Sequence, residues 1–306
     1  LLEEMIAVFR QIDFVGASMQ THASLSAARG ILRFYESTGD ESFLRTAEEL
    51  FALYCREGMT ENYANDNWFD RPGWTEPCAV IDSYMLASGF FDNTGDSRYL
   101  LIAQRIFYNA MGFAQRSNGG FGCDNCVGAQ EPFVHPKEEY FEAYWCCTMR
   151  GGEGLARAAE NMLRTDADTL YILRPGDADI ELDGQRIRMR ADFPRDTRVT
   201  LEMEGEGRWK HVRLYLPETA EAIRIASDEG KTAVSSLPTE DGIILPFSSG
   251  CRTEITYSIP LRTEAPLRKR AKSFGVKYQY GPLLLGVQTD EVRELLDESG
   301  FPGMRV

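Results

Sequence analysis

At 306 residues, with 43% hydrophobic and 26% charged side chains, the chain is long enough for two domains and too apolar for intrinsic disorder. Forty-seven acidic against 33 basic residues give a formal net charge of −14. That balance argues against non-specific binding to nucleic acid or anionic lipid and is compatible with a neutral ligand such as a sugar. No apolar run approaches the ~20 residues of a membrane helix.

The opening Leu1-Leu2-Glu3-Glu4-Met5-Ile6 is too acidic and too short in its apolar part for a signal peptide. It reads as the interior of a helix, and the expectation is a chain that starts partway through a longer protein. Residues 21–37 place Leu25, Ala28, Leu32 and Tyr35 at spacings of three and four, which predicts a helix. Thr38-Gly39 closes it, Asp40 caps the next, and Phe43, Ala47, Leu50 and Tyr54 form the apolar face of a helix over 41–56. The punctuation then returns: Ser37-Thr38-Gly39-Asp40 with Phe43-Leu44 and Phe51 matches Asn93-Thr94-Gly95-Asp96 with Tyr99-Leu100 and Phe107. A repeated helical hairpin is the signature of an α/α array or toroid.

Near Asp166 the texture changes. Alternating runs at 170–173, 187–190, 199–203, 211–216, 223–226, 243–247 and 253–259 are separated by turns such as Gly205-Glu206-Gly207. Short strands at that spacing predict an antiparallel β-sandwich. The expected division is a helical domain over 1–166 and a β-sandwich domain over 167–306, with a further strand at 278–285 and a short terminal helix over 290–298.

The seven cysteines are Cys55, Cys78, Cys123, Cys126, Cys146, Cys147 and Cys251. An odd number in a large chain is not a disulfide scaffold, and thiols kept reduced suit a cytoplasmic location. Clustered thiols in such a compartment point to metal or catalysis. Adjacent Cys146 and Cys147 are, on a bland reading, two buried small hydrophobes. Glu76 and Cys78 at a helix start, and the Cys123/Cys126 pair, shift the weighing toward zinc, which takes four ligands from thiolate, imidazole and carboxylate. Two sets are open: Glu76, Cys78, Cys146 and Cys147, or a structural site of Cys123, Cys126, Cys146 and Cys147.

Four segments in register carry a resemblance. They are Thr75-Glu76-Pro77-Cys78-Ala79, Thr94-Gly95-Asp96-Ser97-Arg98-Tyr99, Arg105-Ile106-Phe107-Tyr108-Asn109 and Cys146-Cys147. In order and spacing they resemble glycoside hydrolase family 127, the β-L-arabinofuranosidases. The likeness runs from about Thr21 to the strands after Asp168 and takes in Gly281-Pro282-Leu283. It implies an (α/α)₆ barrel followed by β-sandwich domains, of which this chain would hold the C-terminal half of the barrel, since about six of twelve helices precede Asp166.

The resemblance further implies a retaining glycosidase acting on an oligosaccharide or glycoside, with Zn²⁺ bound by Glu76, Cys78, Cys146 and Cys147. Cys146 would be the nucleophile. The family's acid/base glutamate lies about sixteen residues before Glu76; that position is Thr60, so Glu61 takes the role with a one-residue deletion. Its bland reading is a solvated loop carboxylate. His22 would bind substrate, against a bland reading as a helix-start residue satisfied by solvent. The chain departs from the family in Thr148-Met149-Arg150, where Pro-Pro-Asn is usual. It departs again at Gln104, which stands where many members carry a sugar-binding glutamate, and near Cys123, where they carry a tyrosine. These departures bear on the sugar more than on the reaction, and they favour the competing reading, a catalytically silent carbohydrate-binding or scaffold protein with structural zinc. His135 and His211 read as an exposed loop residue and a structural strand residue. Trp68, Phe69 and Trp74 are equally suited to packing or to stacking on a sugar.

Overall fold

The computed structural model describes residues 2–126, 146–228, 232–235, 242–265 and 277–285. His135 and the helix expected over 290–298 lie outside them. The chain divides into two compact units, Leu1–Ala158 with Glu264–Lys277, and Ala159–Thr263 with Tyr278–Val306.

The first unit is helical: α1 (Leu2–Phe9), α2 (Thr21–Thr38), α3 (Glu41–Glu57), α4 (Pro77–Thr94), α5 (Ser97–Arg105), a π-helical turn (Ile106–Met111), α6 (Gly112–Ala114) and α7 (Cys146–Glu160). The predicted faces of α2 and α3 are the buried ones, apart from half-exposed Tyr35. Helix α4 is apolar nearly all round, as a central helix should be; residues from Pro77 to Phe90 are buried on every face. Phe51 of α3 and Phe90 of α4 meet with ring centroids 5.4 Å apart, and Tyr99 of α5 lies 5.0 Å from Phe90.

The repeated sequence makes the same corner twice, bond for bond. Thr38 Oγ1 donates to the Phe34 carbonyl at 2.8 Å and Thr94 Oγ1 to that of Phe90 at 2.7 Å. Gly39 and Gly95 follow at φ 72° and 70°, and their N–H groups close on Tyr35 and Phe91. Asp40 then accepts from Ser42 N at 2.8 Å, and Asp96 from Arg98 N at 3.0 Å. A left-handed C′ residue followed at once by an N-cap aspartate turns the chain within two residues and satisfies orphan groups of both helices.

The second unit holds β1 (Leu163–Thr165), β2 (Thr169–Ile172), β3 (Ala178–Leu182), β4 (Gln185–Ala191), β5 (Arg198–Gly205), β6 (His211–Leu214), β7 (Glu221–Ser227), β8 (Thr232–Ser235), β9 (Ile243–Pro246) and β10 (Cys251–Ser258). β11 (Leu261–Glu264), β12 (Lys277–Tyr280) and β13 (Leu283–Leu285) follow. The sheets are β1-β2-β6-β9, β3-β4-β5-β10-β7-β8 and β11-β12-β13. Strands β4, β5 and β10 alternate buried and less buried residues. One core unites the first two sheets, with Leu170, Ile172, Val212, Leu214 and Leu245 of one packed with Ile187, Met189, Leu201 and Ile255 of the other around Trp209. Asp183 and Gly184 between β3 and β4 sit at φ 53° and 78°, the paired left-handed residues of a two-residue hairpin turn.

One pair corrects the expected antiparallel arrangement. β2 runs parallel to β6, Thr169 beside His211 and Ile172 beside Leu214. After β2 the chain leaves to build β3, β4 and β5 in the other sheet, and a crossover of that length allows a parallel return. Among the described residues no helix is long and apolar enough to cross a membrane.

A paired substitution tests the corner argument. A Cβ at Gly30, exposed inside α2, or at Gly95 meets nothing within 4 Å, so neither change is opposed by packing. Gly30→Ala should stabilise by about 1 kcal/mol through helix propensity. Gly95→Ala should destabilise by about 1–2 kcal/mol because its φ is left-handed. Urea unfolding followed by circular dichroism should move the midpoint in opposite directions; shifts of one sign would refute the corner geometry.

Candidate metal centre and sugar site

Glu76 ends an extended approach to α4 and Cys78 lies in the first turn, behind Pro77 at a position that needs no amide donor. Cys146 and Cys147 lie on α7, whose buried residues are Cys147, Gly151, Gly154 and Ala158, all small and on one face. That face lets α7 come close. A Cβ at Gly154 would lie 2.2 Å from Ile81 Cδ1 of α4, and one at Gly151 would lie 2.0 Å from the Phe121 ring. Nothing in the motifs singled these glycines out; their spacing beside the thiols was the available signal.

The approach brings one ligand atom each from Glu76, Cys78, Cys146 and Cys147 within 4.8 Å of one another. Cys78 Sγ lies 3.7 Å from Cys146 Sγ and 4.0 Å from Cys147 Sγ. A tetrahedral ion with Zn–S bonds of ~2.3 Å sets its sulfurs about 3.8 Å apart, so the spacing fits zinc. The charges fit as well. Burial pushes the Glu76 carboxyl up, and burial with the Cys147 charge pushes Cys146 up. Hydrogen bonding to Cys147 and burial push Cys78 up strongly. Cys147 alone is pulled down, to about 3, because Cys123 and then Cys78 hydrogen-bond to it. Ionising any one of these four donors thus opposes ionising the others, a conflict that a bound cation removes.

Of the second set considered, Cys123 lies against Cys78 and Cys147 in a buried cluster with Trp74. The Cys126 thiol donates to the Asn65 carbonyl at 3.4 Å.

A buried loop over 58–76 supports Glu76. Asn65 Oδ1 accepts from Glu76 N at 3.0 Å, while Asn65 Nδ2 donates to Thr21 Oγ1 at 3.1 Å. Asn67, oriented by its neighbours, donates to Glu76 Oε2 at 2.6 Å and accepts from Trp74 Nε1 at 3.1 Å. Gln20 Nε2 reaches the same oxygen at 3.4 Å. Trp68 and Trp74 pack edge to face at 4.9 Å. Asn65, Asn67 and Gln20 escaped sequence reasoning because a carboxylate's partners follow no fixed spacing.

Glu61 is buried in this loop and belongs to a second cluster. Lys277 Nζ lies 3.1 Å from its Oε2 and 5.7 Å from the centre of the Tyr63 ring. Arg105 donates to Tyr63 Oη at 2.8 Å. Gln104 is buried at the end of α5, next to the π turn, a feature frequent at functional sites. His22 is half-buried at the start of α2 and engages Asp82 through Nδ1 at 2.8 Å. That hydrogen bond raises its pKa above the usual imidazole value, against the opposing effect of burial.

The geometry defines a helical unit with a thiol-rich centre suited to zinc. Residues 10–160 match a family model for the catalytic domain of the β-L-arabinofuranosidases of glycoside hydrolase family 127. The fold is similar to that of a family 127 β-L-arabinofuranosidase from Geobacillus stearothermophilus T6, at 17% identity and a TM-score of 0.65 over 87% of this chain and 46% of that one. A structure described as a glycoside hydrolase aligns at 14% identity and a TM-score of 0.74, over 87% of this chain and 51% of its own. The family 127 β-arabinofuranosidase BT3674 aligns at 15% identity and 0.69, over 87% and 47%. The chain thus spans about half the length of these structures. No curated protein matches it.

The close approach of α7 can be tested by zinc affinity. Gly151→Ala should displace the helix from Phe121 and loosen the thiols, weakening zinc ~10–100-fold in chelator competition, the range seen when support of a metal ligand is lost. A Cβ at Gly152 meets nothing within 4 Å, so Gly152→Ala should leave affinity unchanged. Equal affinities in both variants would show that the approach does not set the site.

Proposed function

We propose that this chain carries the zinc centre of a retaining glycosidase acting on β-L-arabinofuranosides or a related plant-glycan sugar. The observation that carries the reading is the convergence of Glu76, Cys78, Cys146 and Cys147 within 4.8 Å in a unit matching a β-L-arabinofuranosidase catalytic domain. Zinc held by these four would keep the coordinated thiols deprotonated at neutral pH. An (α/α) barrel, here its C-terminal part, would frame the centre, and reduced thiols suit a cytoplasmic protein.

Cys146 is the most exposed of the four and is the nucleophile. Its sulfur attacks the anomeric carbon while Glu61 gives a proton to the departing glycosidic oxygen. The C–O bond breaks, a C–S bond forms, and the aglycone leaves as an alcohol. Glu61 then takes a proton from water, which displaces the sulfur and releases the sugar with its configuration retained by double inversion. His22 and Gln104 hold sugar hydroxyls. The competing reading, a silent carbohydrate-binding protein with structural zinc, draws on the Lys277 ammonium already seated 3.1 Å from Glu61.

Turnover decides between them. The full chain loaded with zinc should hydrolyse an aryl β-L-arabinofuranoside, and Cys146→Ser should abolish this, since a serine hydroxyl is a poorer nucleophile and a poorer zinc ligand. Glu61→Gln should cost ~10²–10⁴-fold on a substrate with a poor leaving group and much less on one with an acidic phenol. Full activity in Cys146→Ser would end the thiolate mechanism; equal losses on both substrates would remove Glu61 from the acid role.

Chelation supplies a further check. Extracting zinc should lower both activity and the unfolding midpoint, because a ligand bound only by the native state stabilises it. An unchanged midpoint would mean that this site holds no ion in the folded protein.

A further inference from the structure

Asp82 is fully buried on α4, one helical turn beyond Cys78, and its two oxygens are divided between two kinds of partner. Oδ1 accepts from Arg29 Nη1 of α2 at 2.5 Å and from the Arg150 guanidinium of α7. Oδ2 lies 2.8 Å from His22 Nδ1 and accepts from Ser26 Oγ at 2.7 Å, both on α2. Arg150 lies one turn beyond Cys146 and also pairs with Glu153. One carboxylate therefore ties three helices together beneath the thiols.

The division of oxygens has a chemical consequence. Burial alone would push the Asp82 carboxyl up, but the His22 and Ser26 hydrogen bonds and the two guanidiniums hold it below the usual carboxylate range. An ionised carboxylate can only accept, so the hydrogen between Asp82 and His22 sits on Nδ1. The same hydrogen bond raises the pKa of the ring; above that pKa the imidazole is neutral and carries one N–H, which leaves Nε2 with its lone pair. His22 is 28% exposed where Asp82 is closed off, so the ring has a side to offer a ligand.

We propose that Asp82 is a positioning residue that fixes His22 as the Nδ1–H tautomer and so makes Nε2 an acceptor for a sugar hydroxyl. The clamp stands on the geometry; the sugar contact rests on the glycosidase reading above. Nothing in the family-like motifs includes Asp82.

Asp82→Asn tests this sharply, because the guanidiniums dictate how the amide must lie. Arg29 and Arg150 both donate, so the amide oxygen must occupy the Oδ1 side. The amide nitrogen is then turned toward His22 and donates to Nδ1, which forces the ring hydrogen onto Nε2. The readout is nitrogen NMR of histidine-labelled protein at a pH where the ring is neutral. The chain has three histidines, and the His22→Gln spectrum identifies the signal of interest. The wild type should show the Nδ1–H tautomer and Asp82→Asn the Nε2–H tautomer. With an acceptor replaced by a donor, kcat/KM should fall by about 10-fold or more.

A wild-type His22 in the Nε2–H form overturns the clamp whether or not the variant folds. A swapped tautomer with unchanged kcat/KM overturns the sugar contact. If the wild type hydrolyses no glycoside, the glycosidase reading and the sugar contact fall, while the tautomer measurement still rules on the clamp.

Discussion

Three thiols and a carboxylate held within 4.8 Å cannot all ionise unless something positive lies between them. That constraint orders the helical unit. Two helices must deliver cysteines to one point, so α7 must approach α4 more closely than ordinary side chains permit. Gly151 and Gly154 make the space, and Phe121 and Ile81 fill it. The small face of α7 is therefore a condition for the centre as much as a packing detail.

Beneath the thiols the same helices are joined again by charge. A carboxylate buried as completely as Asp82 would be strongly destabilising without partners, and it has four donors. Two guanidiniums face one of its oxygens, and His22 and Ser26 face the other. The arrangement converts a buried charge into orientation: α2, α4 and α7 are keyed to one another within a turn of the cysteines. The loop over 58–76 acts on Glu76 through Asn65 and Asn67, and Gln20 reaches it from the start of α2. Metal ligands held by such neighbours keep one geometry, and neighbours of this kind typically matter to affinity almost as much as the ligands.

Glu61 illustrates the limit of motif reasoning. The family resemblance pointed to it by its distance from Glu76, but its burial and its ion pair could not be read there. Lys277 comes from the far end of the chain and belongs to the same compact unit. The unit that matches the family over residues 10–160 thus includes at least one charged residue from outside that stretch.

The sequence by itself determined what depends on near neighbours. The Thr-Gly-Asp corners, the faces of α2 and α3 and the strand-rich texture after Asp166 were all legible; Glu76, Cys78, Cys146 and Cys147 were one of two open sets, singled out by the family resemblance. Helix periodicity, capping and turn chemistry act over a few residues, and a family motif preserves spacing. Strand β3 escaped because it buries a single apolar residue, Ile180, and so shows little alternation. The parallel pairing of β2 with β6 escaped because strand direction is set by the path of the intervening chain. Tertiary structure alone decided that Asp82 would face His22, Ser26, Arg29 and Arg150, that Lys277 would meet Glu61, and that Gly151 and Gly154 would let α7 close on Phe121 and on Ile81 of α4. Each is a contact between residues distant in sequence, and no local propensity encodes which buried charge will find which partner.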